Sequence, residues 1–92
     1  MDDRVVGTLD LTVVPNLTRD ARPFSVAENI AVAAAYQGSG VGRSLIDEAF
    51  RLSRDAGCYK IQLMSNKRRA EAHGFYRACG FEAQAEGFRK YF

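Results

Sequence analysis

Apolar and polar positions alternate near the start of the chain. Val5, Gly7, Leu9, Leu11 and Val13 share one parity, and Thr8, Asp10 and Thr12 share the other. A period of two is that of a half-buried strand. Pro15 ends it, and the stretch to Pro23, rich in Pro, Asn, Thr and Asp, reads as a turn or loop leading into a second extended run over residues 24–33. The two strands are expected to pair antiparallel.

Over residues 40–56 the period changes. Val41, Leu45, Ile46, Ala49, Phe50 and Leu52 mostly follow helical spacing, with Arg43, Asp47, Arg51 and Asp55 between them, and Gly57 offers a C′ stop. Tyr59, Ile61 and Leu63 then alternate with Lys60 and Gln62 as a strand. Strand, helix and strand make a crossover, which predicts parallel flanking strands with a right-handed connection. A second helix, about residues 67–79 with Ser65 or Asn66 as its cap, sets Ala72, Phe75, Tyr76 and Cys79 on one face. Gly80 closes it, and Phe81 stands at C″ for the accompanying apolar contact. Residues 82–92, with Phe88, Tyr91 and Phe92, predict a final strand or hairpin.

Ninety-two residues predict one domain spanning residues 1–92, with a small core. An apolar content of 47% with 26% charged residues places the chain among soluble globular proteins. No apolar run approaches the ~20 residues that span a bilayer, and Met1-Asp2-Asp3 is the reverse of a secretory n-region, so a cytoplasmic protein without a membrane partner is expected. The net charge of +2, with acids and bases interspersed, shows no electrostatic footprint for nucleic acid. Cys58 and Cys79 have no CxxC spacing, and His73 completes no metal set with them, so both read as small buried thiols and no metal is expected.

The candidate chemistry lies between the second strand and the first helix, in Gln37-Gly38-Ser39-Gly40-Val41-Gly42. Three glycines in five residues let the backbone approach a ligand and aim several N–H groups into one concavity, and the helix dipole adds roughly half a positive charge there. A phosphate is favoured at such a place, although a tight strand-to-helix turn explains the glycines equally well. The spacing is neither a Walker P-loop nor GxGxxG, since Leu45 stands where the frame from Gly40 needs Gly or Ala.

What the segment does match is QxxGxG, on Gln37, Gly40 and Gly42, with Leu45 one turn on. It resembles the coenzyme A loop of the GNAT superfamily of N-acetyltransferases. Downstream, Ala72-His73-Gly74-Phe75-Tyr76-Arg77-Ala78-Cys79-Gly80-Phe81 fits that superfamily's A-x-x-x-Y-x-x-x-G-F pattern throughout. The resemblance covers residues 7–81, including the strand Glu28-Asn29-Ile30-Ala31-Val32 that leads into the loop. It implies an α/β (α+β) fold: a mixed, partly open sheet flanked by two helices, without the first strand, two helices and second strand that usually precede this portion.

The resemblance further implies acetyl transfer from acetyl-CoA to a primary amine. Tyr76 would protonate the departing sulfur, and Glu28 would act as general base, directly or through water. Glu28 shares the parity of Val26, Ile30 and Val32, so a regular strand would bury its carboxylate and raise its pKa. The family also places a bulge in this strand, which breaks simple alternation. By the same resemblance, residues 37–42 and Arg43 would hold the pyrophosphate, and the backbone at Ile30, Val32 and Ala33 would bond pantetheine. Asn66 would reach cofactor or substrate if it is not an N-cap, and Tyr76 would touch the cofactor as well. Lys67, Arg68 and Arg69 oppose the helix dipole, so they either meet the 3′-phosphate or form a solvated face. The acceptor stays open among small amines, aminoglycosides, amino sugars and protein amino groups. Open sheet edges and the terminal aromatics predict a homodimer or swapped assembly. A non-catalytic coenzyme A-binding or interaction module is the alternative.

Overall fold

The computed structural model describes residues 5–17, 19–64, 70–85 and 87–92. Strands β1 (Gly7–Val14), β2 (Phe24–Val32) and β3 (Ile61–Leu63) form a sheet in that order, with α1 (Val41–Asp55) between β2 and β3 and α2 (Ala70–Ala78) after β3. β1 and β2 pair antiparallel, and β2 and β3 pair parallel, as the alternation and the crossover require. This is the expected mixed, open sheet with two helices.

The β1–β2 ladder contains one bulge. Thr8 faces Ala31 and Asp10 faces Glu28, so Leu9 alone opposes Asn29 and Ile30. Asn29 takes φ 53°, in the left-handed region that asparagine tolerates best after glycine, and its Nδ2 donates to Asp10 Oδ2 at 2.9 Å. The bulge reverses which parity faces α1. Ser25 and Ala27 are buried before it, whereas Ile30 and Val32 are half-buried after it.

The core lies between α1 and the sheet, where Ala27, Ile46 and Ala49 are buried. Apolar spacing assigned Leu52 to this face, but Leu52 is 43% exposed and Ser53 is buried instead. Ser53 is tolerated there because its hydroxyl shares a hydrogen bond with that of Ser25, 2.7 Å away on β2. Ser25→Ala strands one hydroxyl and is expected to cost about 1–3 kcal/mol, whereas the double variant with Ser53→Ala loses less than the sum of the singles. Urea unfolding of the three variants checks this, and strictly additive losses would contradict it.

Both helices end as their glycines predict. Gly57 (φ 78°) donates to Arg54 O and Cys58 N donates to Ser53 O, each at 3.0 Å, which is a Schellman closure of α1. Arg22 donates from Nε to Gly57 O at 3.3 Å and from Nη2 to Cys58 O at 3.2 Å, tying that end to the lead-in of β2. On the exposed side of α1, Arg51 bonds Glu48 and Asp55. The Arg51 guanidinium holds the Glu48 carboxyl below its usual pKa, so the small gain from this pair is complete above about pH 4.5 and is lost as pH falls through the folded value.

Two further expectations fail. β3 begins at Ile61, not Tyr59, although Tyr59 N still donates to Pro23 O at 3.0 Å and Lys60 O accepts from Ser25 N at 3.1 Å. Residues 82–85 and 87–92 form no strand, and Phe88, Tyr91 and Phe92 are exposed. A strand persists only where a neighbour supplies its hydrogen bonds, and none of the described residues does so there. Cys79 is buried and Cys58 half-buried, near the expectation for both thiols. Among the described residues no helix is long and apolar enough to cross a membrane.

Candidate functional site

β2 leaves β3 before reaching the Gly-rich turn. The parallel pairing covers only Ser25, Val26 and Ala27 against Ile61, Gln62 and Leu63. Beyond Ala27, β2 bonds β1 alone among the described residues. Because Ala33 N donates to Val6 O at 2.7 Å, alternation along the ladder turns the backbone of Ala31 and Ala33 toward β1 and that of Val32 away from it, into the gap. Ile30 is one of the two residues that oppose Leu9 at the bulge, where simple alternation does not hold. The Ala33 N–H is given to Val6, and its carbonyl accepts Tyr36 N at 2.8 Å.

A single 3₁₀ turn, Ala34–Tyr36, delivers the chain into the glycines. Gln37 Nε2 donates to Val32 O at 3.3 Å, so this side chain fastens the turn to the end of β2. Ser39 donates to Tyr36 O through its N–H at 3.2 Å and through its hydroxyl. Gly38 and Gly40 have φ 80° and 91°, which side-chain-bearing residues rarely adopt, and nothing lies within 4 Å of where a Cβ would stand on either. The surface there is open.

The first helical bond of α1 is Ser44 N to Gly40 O at 3.0 Å, so the amides of Val41, Gly42 and Arg43 have no acceptor within the helix. No side chain caps this end. Three forward-pointing amides, an open concavity and the positive end of a 15-residue helix dipole fit a pyrophosphate group. The Arg43 side chain is engaged elsewhere: Nε donates to Asp47 Oδ1 and Nη1 to Ala78 O, both at 3.1 Å.

α1 sits close to both neighbours at this end. A Cβ on Gly7 would meet Val41 Cγ1 at 2.8 Å, and one on Gly42 would meet Phe75 Cζ of α2 at 3.3 Å. Spacing placed Gly7 on a strand face without revealing this contact. Phe75 leads directly to Tyr76, which is half-buried with its ring 5.6 Å from that of Phe75 and 6.1 Å from that of Phe81, centroid to centroid. Tyr76 also lines an open groove of about 1030 Å³ bounded by Phe50, Lys60, Gln62, His73 and Phe81. The Gly-rich turn lies outside that groove, so the helix pair α1 and α2 connects the two features.

Glu28 does not have the expected environment. It is exposed, and the bulge at Asn29 separates its face from that of Ile30 and Val32 despite their common parity. Asn66 lies outside the described residues, as do Ser65, Lys67, Arg68 and Arg69.

Residues 1–83 match the acetyltransferase (GNAT) domain family. Glucosamine 6-phosphate N-acetyltransferase of Trypanosoma brucei brucei is 35% identical over 86 residues, 94% of this chain and 56% of its own length. Aminoglycoside N(6′)-acetyltransferase type 1 of Stenotrophomonas maltophilia is 40% identical over 63 residues, 68% of this chain and 41% of its own. The crystal structure of a Trypanosoma brucei acetyltransferase superposes with a TM-score of 0.87 at 34% identity, covering 97% of this chain and 61% of that one. The chain thus spans about half the length of the curated relatives it matches. With the family model covering residues 1–83, the chain belongs to the GNAT acetyltransferase family.

Proposed function

We propose that this chain carries the coenzyme-binding half of an N-acetyltransferase that moves acetyl from acetyl-CoA to a primary amine. The observation that carries the reading is the open turn at the N-terminus of α1. Its amides at Val41, Gly42 and Arg43 lack helical acceptors, and Gly38 and Gly40 open the backbone in front of them. The backbone of residues 37–43 holds the pyrophosphate in this proposal, and the backbone at Ile30, Val32 and Ala33 receives the amides of pantetheine. Acetyl-CoA, when bound, supplies a thioester whose C–S bond breaks as the amine nitrogen forms a C–N bond to the acetyl carbon.

Tyr76 donates its phenolic proton to the departing sulfur in this scheme. Glu28, exposed beside the bulge, takes the proton lost by the amine, directly or through water. The named relatives act on glucosamine 6-phosphate and on aminoglycosides, so a small-molecule amine is the first acceptor to test. Acetyl-CoA is incubated with the full chain and each of these amines, with a peptide amine alongside, and acetylated product is read by mass spectrometry. Product from at least one amine supports the transferase. Coenzyme A binding without product supports the alternative, a non-catalytic coenzyme A-binding or interaction module.

The same proposal includes a second copy of the chain. β1 and β3 are sheet edges without a further strand among the described residues, and Phe88, Tyr91 and Phe92 are exposed. A homodimer or swapped assembly is expected by light scattering, and a monomeric mass at micromolar concentration would contradict it.

A further inference from the structure

We propose that the Arg43 side chain is a positioning residue, which fastens the last turn of α2 to the first turn of α1 and so sets Tyr76 relative to the Gly-rich turn. The inference rests on the transferase reading for its functional meaning and on the hydrogen bonds of α2 for its physical content.

The end of α2 shows why a cation is used there. Phe81 N donates to Tyr76 O and Gly80 N to Arg77 O, each at 3.0 Å, while Cys79 N is shared between Phe75 O and Tyr76 O. This Schellman closure leaves the Ala78 carbonyl without a partner from its own chain end. Arg43 Nη1 fills that position from α1, 35 residues away in sequence. A guanidinium at a helix C-terminus also complements the negative end of the dipole.

Asp47, one turn along α1, accepts from Arg43 Nε at 3.1 Å and aims the planar group across the gap. Around this bond, Gly42 admits Phe75 to the helix surface, and Phe81 meets Phe50 with centroids 5.5 Å apart. Tyr76 sits between these contacts. Were the guanidinium to swing onto a phosphate through Nε and Nη1, it would abandon both acceptors and leave the Ala78 carbonyl open. The Arg43 amide, which points with those of Val41 and Gly42, is unaffected by what its side chain does.

Arg43→Met, Arg43→Lys and Asp47→Asn test the assignment in the full chain. Three readouts are used: amide exchange of Cys79, Gly80 and Phe81 by NMR, calorimetric titration with coenzyme A, and kcat and KM for acetyl-CoA with a competent amine. A clamp predicts that exchange at these three amides accelerates about tenfold in Arg43→Met and by less in Arg43→Lys and Asp47→Asn, since a charge-assisted bond is lost or weakened. Gly57 and Cys58, at the far end of α1, keep their wild-type rates. The dissociation constant for coenzyme A stays within about threefold, while kcat falls in step with the exchange data and KM for acetyl-CoA holds.

A direct phosphate contact gives opposite signs. Arg43→Met then weakens coenzyme A binding more than about tenfold with exchange unchanged, and Asp47→Asn frees the guanidinium and tightens it. That result overturns the proposal. So does acceleration at all five amides alike, which marks a general loss of stability. If the wild-type chain gives no heat with coenzyme A, the transferase reading falls, and the exchange rates alone decide the clamp: selective acceleration upholds it and unchanged rates overturn it.

Discussion

Tyr76→Phe is expected to lower the rate of acetyl transfer by about 10²-fold or more, the usual contribution of a positioned general acid. The ring is not the reason. Phenylalanine keeps the edge contacts that Tyr76 makes with Phe75 at 5.6 Å and Phe81 at 6.1 Å, so the helix, its cap and the groove wall survive the change. What disappears is one O–H. A 10²-fold loss corresponds to about 2.7 kcal/mol of transition-state free energy, far more than a solvated surface hydroxyl supplies. Thiol release with a competent amine measures the effect, and an unchanged melting temperature shows that packing is intact. A rate equal to wild type removes Tyr76 as the acid and leaves it as a packing residue.

Gly7→Val should produce a marked loss of stability. A Cβ at this position falls 2.8 Å from Val41 Cγ1, 3.1 Å from Leu45 Cδ1 and 3.2 Å from the Ala31 carbonyl oxygen. The last of these is backbone of the neighbouring strand and cannot turn aside. Relief requires the N-terminal turn of α1 to lift from the sheet, and overpacking of this kind costs about 1–3 kcal/mol out of the ~5–15 kcal/mol that holds a domain together. The expected signature is a melting temperature lower by roughly 4–8 °C per kcal/mol, with Gly7→Ala showing a smaller loss. Because Val41 is the first residue of α1 and its amide faces the turn, weaker coenzyme A binding should accompany the thermal shift. Equal melting temperatures for Gly7→Val and wild type would contradict the packing described for this end of α1.

Local signals were legible in the sequence, and distant consequences were not. Gly57 and Gly80 announce their helix ends because a Schellman closure depends on a few neighbouring residues, and both closures form, with Phe81 beside Tyr76 as its C″ position predicts. The antiparallel and parallel pairings followed from the alternation and the crossover. Parity failed at Glu28, because one left-handed residue, Asn29, exchanges the faces of β2 midway along the strand. An Asn within an apolar run, three residues from a Val, gives little warning of that; its bond to Asp10 is made only when β1 is in place. Ser53 displaced Leu52 from the core for a similar reason, since its partner Ser25 stands 28 positions earlier.

At the site, QxxGxG located the turn, but the work of individual side chains depended on tertiary neighbours. Gln37 fastens the turn to Val32, and Arg43 reaches Ala78. The terminal aromatics followed no ladder at all, because a strand signal describes half of a pair.

Calorimetric titration of coenzyme A into the wild-type chain and into Gly40→Val decides whether this turn holds a pyrophosphate. Gly40 holds φ 91° at the cap of α1, so a β-branched residue there must abandon the conformation that aims the amides of Val41, Gly42 and Arg43 at a pyrophosphate. Saturable one-site binding to the wild type is expected, with a loss of at least about tenfold in affinity for Gly40→Val, about 1.4 kcal/mol, and the sheet and helices retained by circular dichroism. Absence of binding to the wild type, or equal affinity for the two proteins, would contradict it.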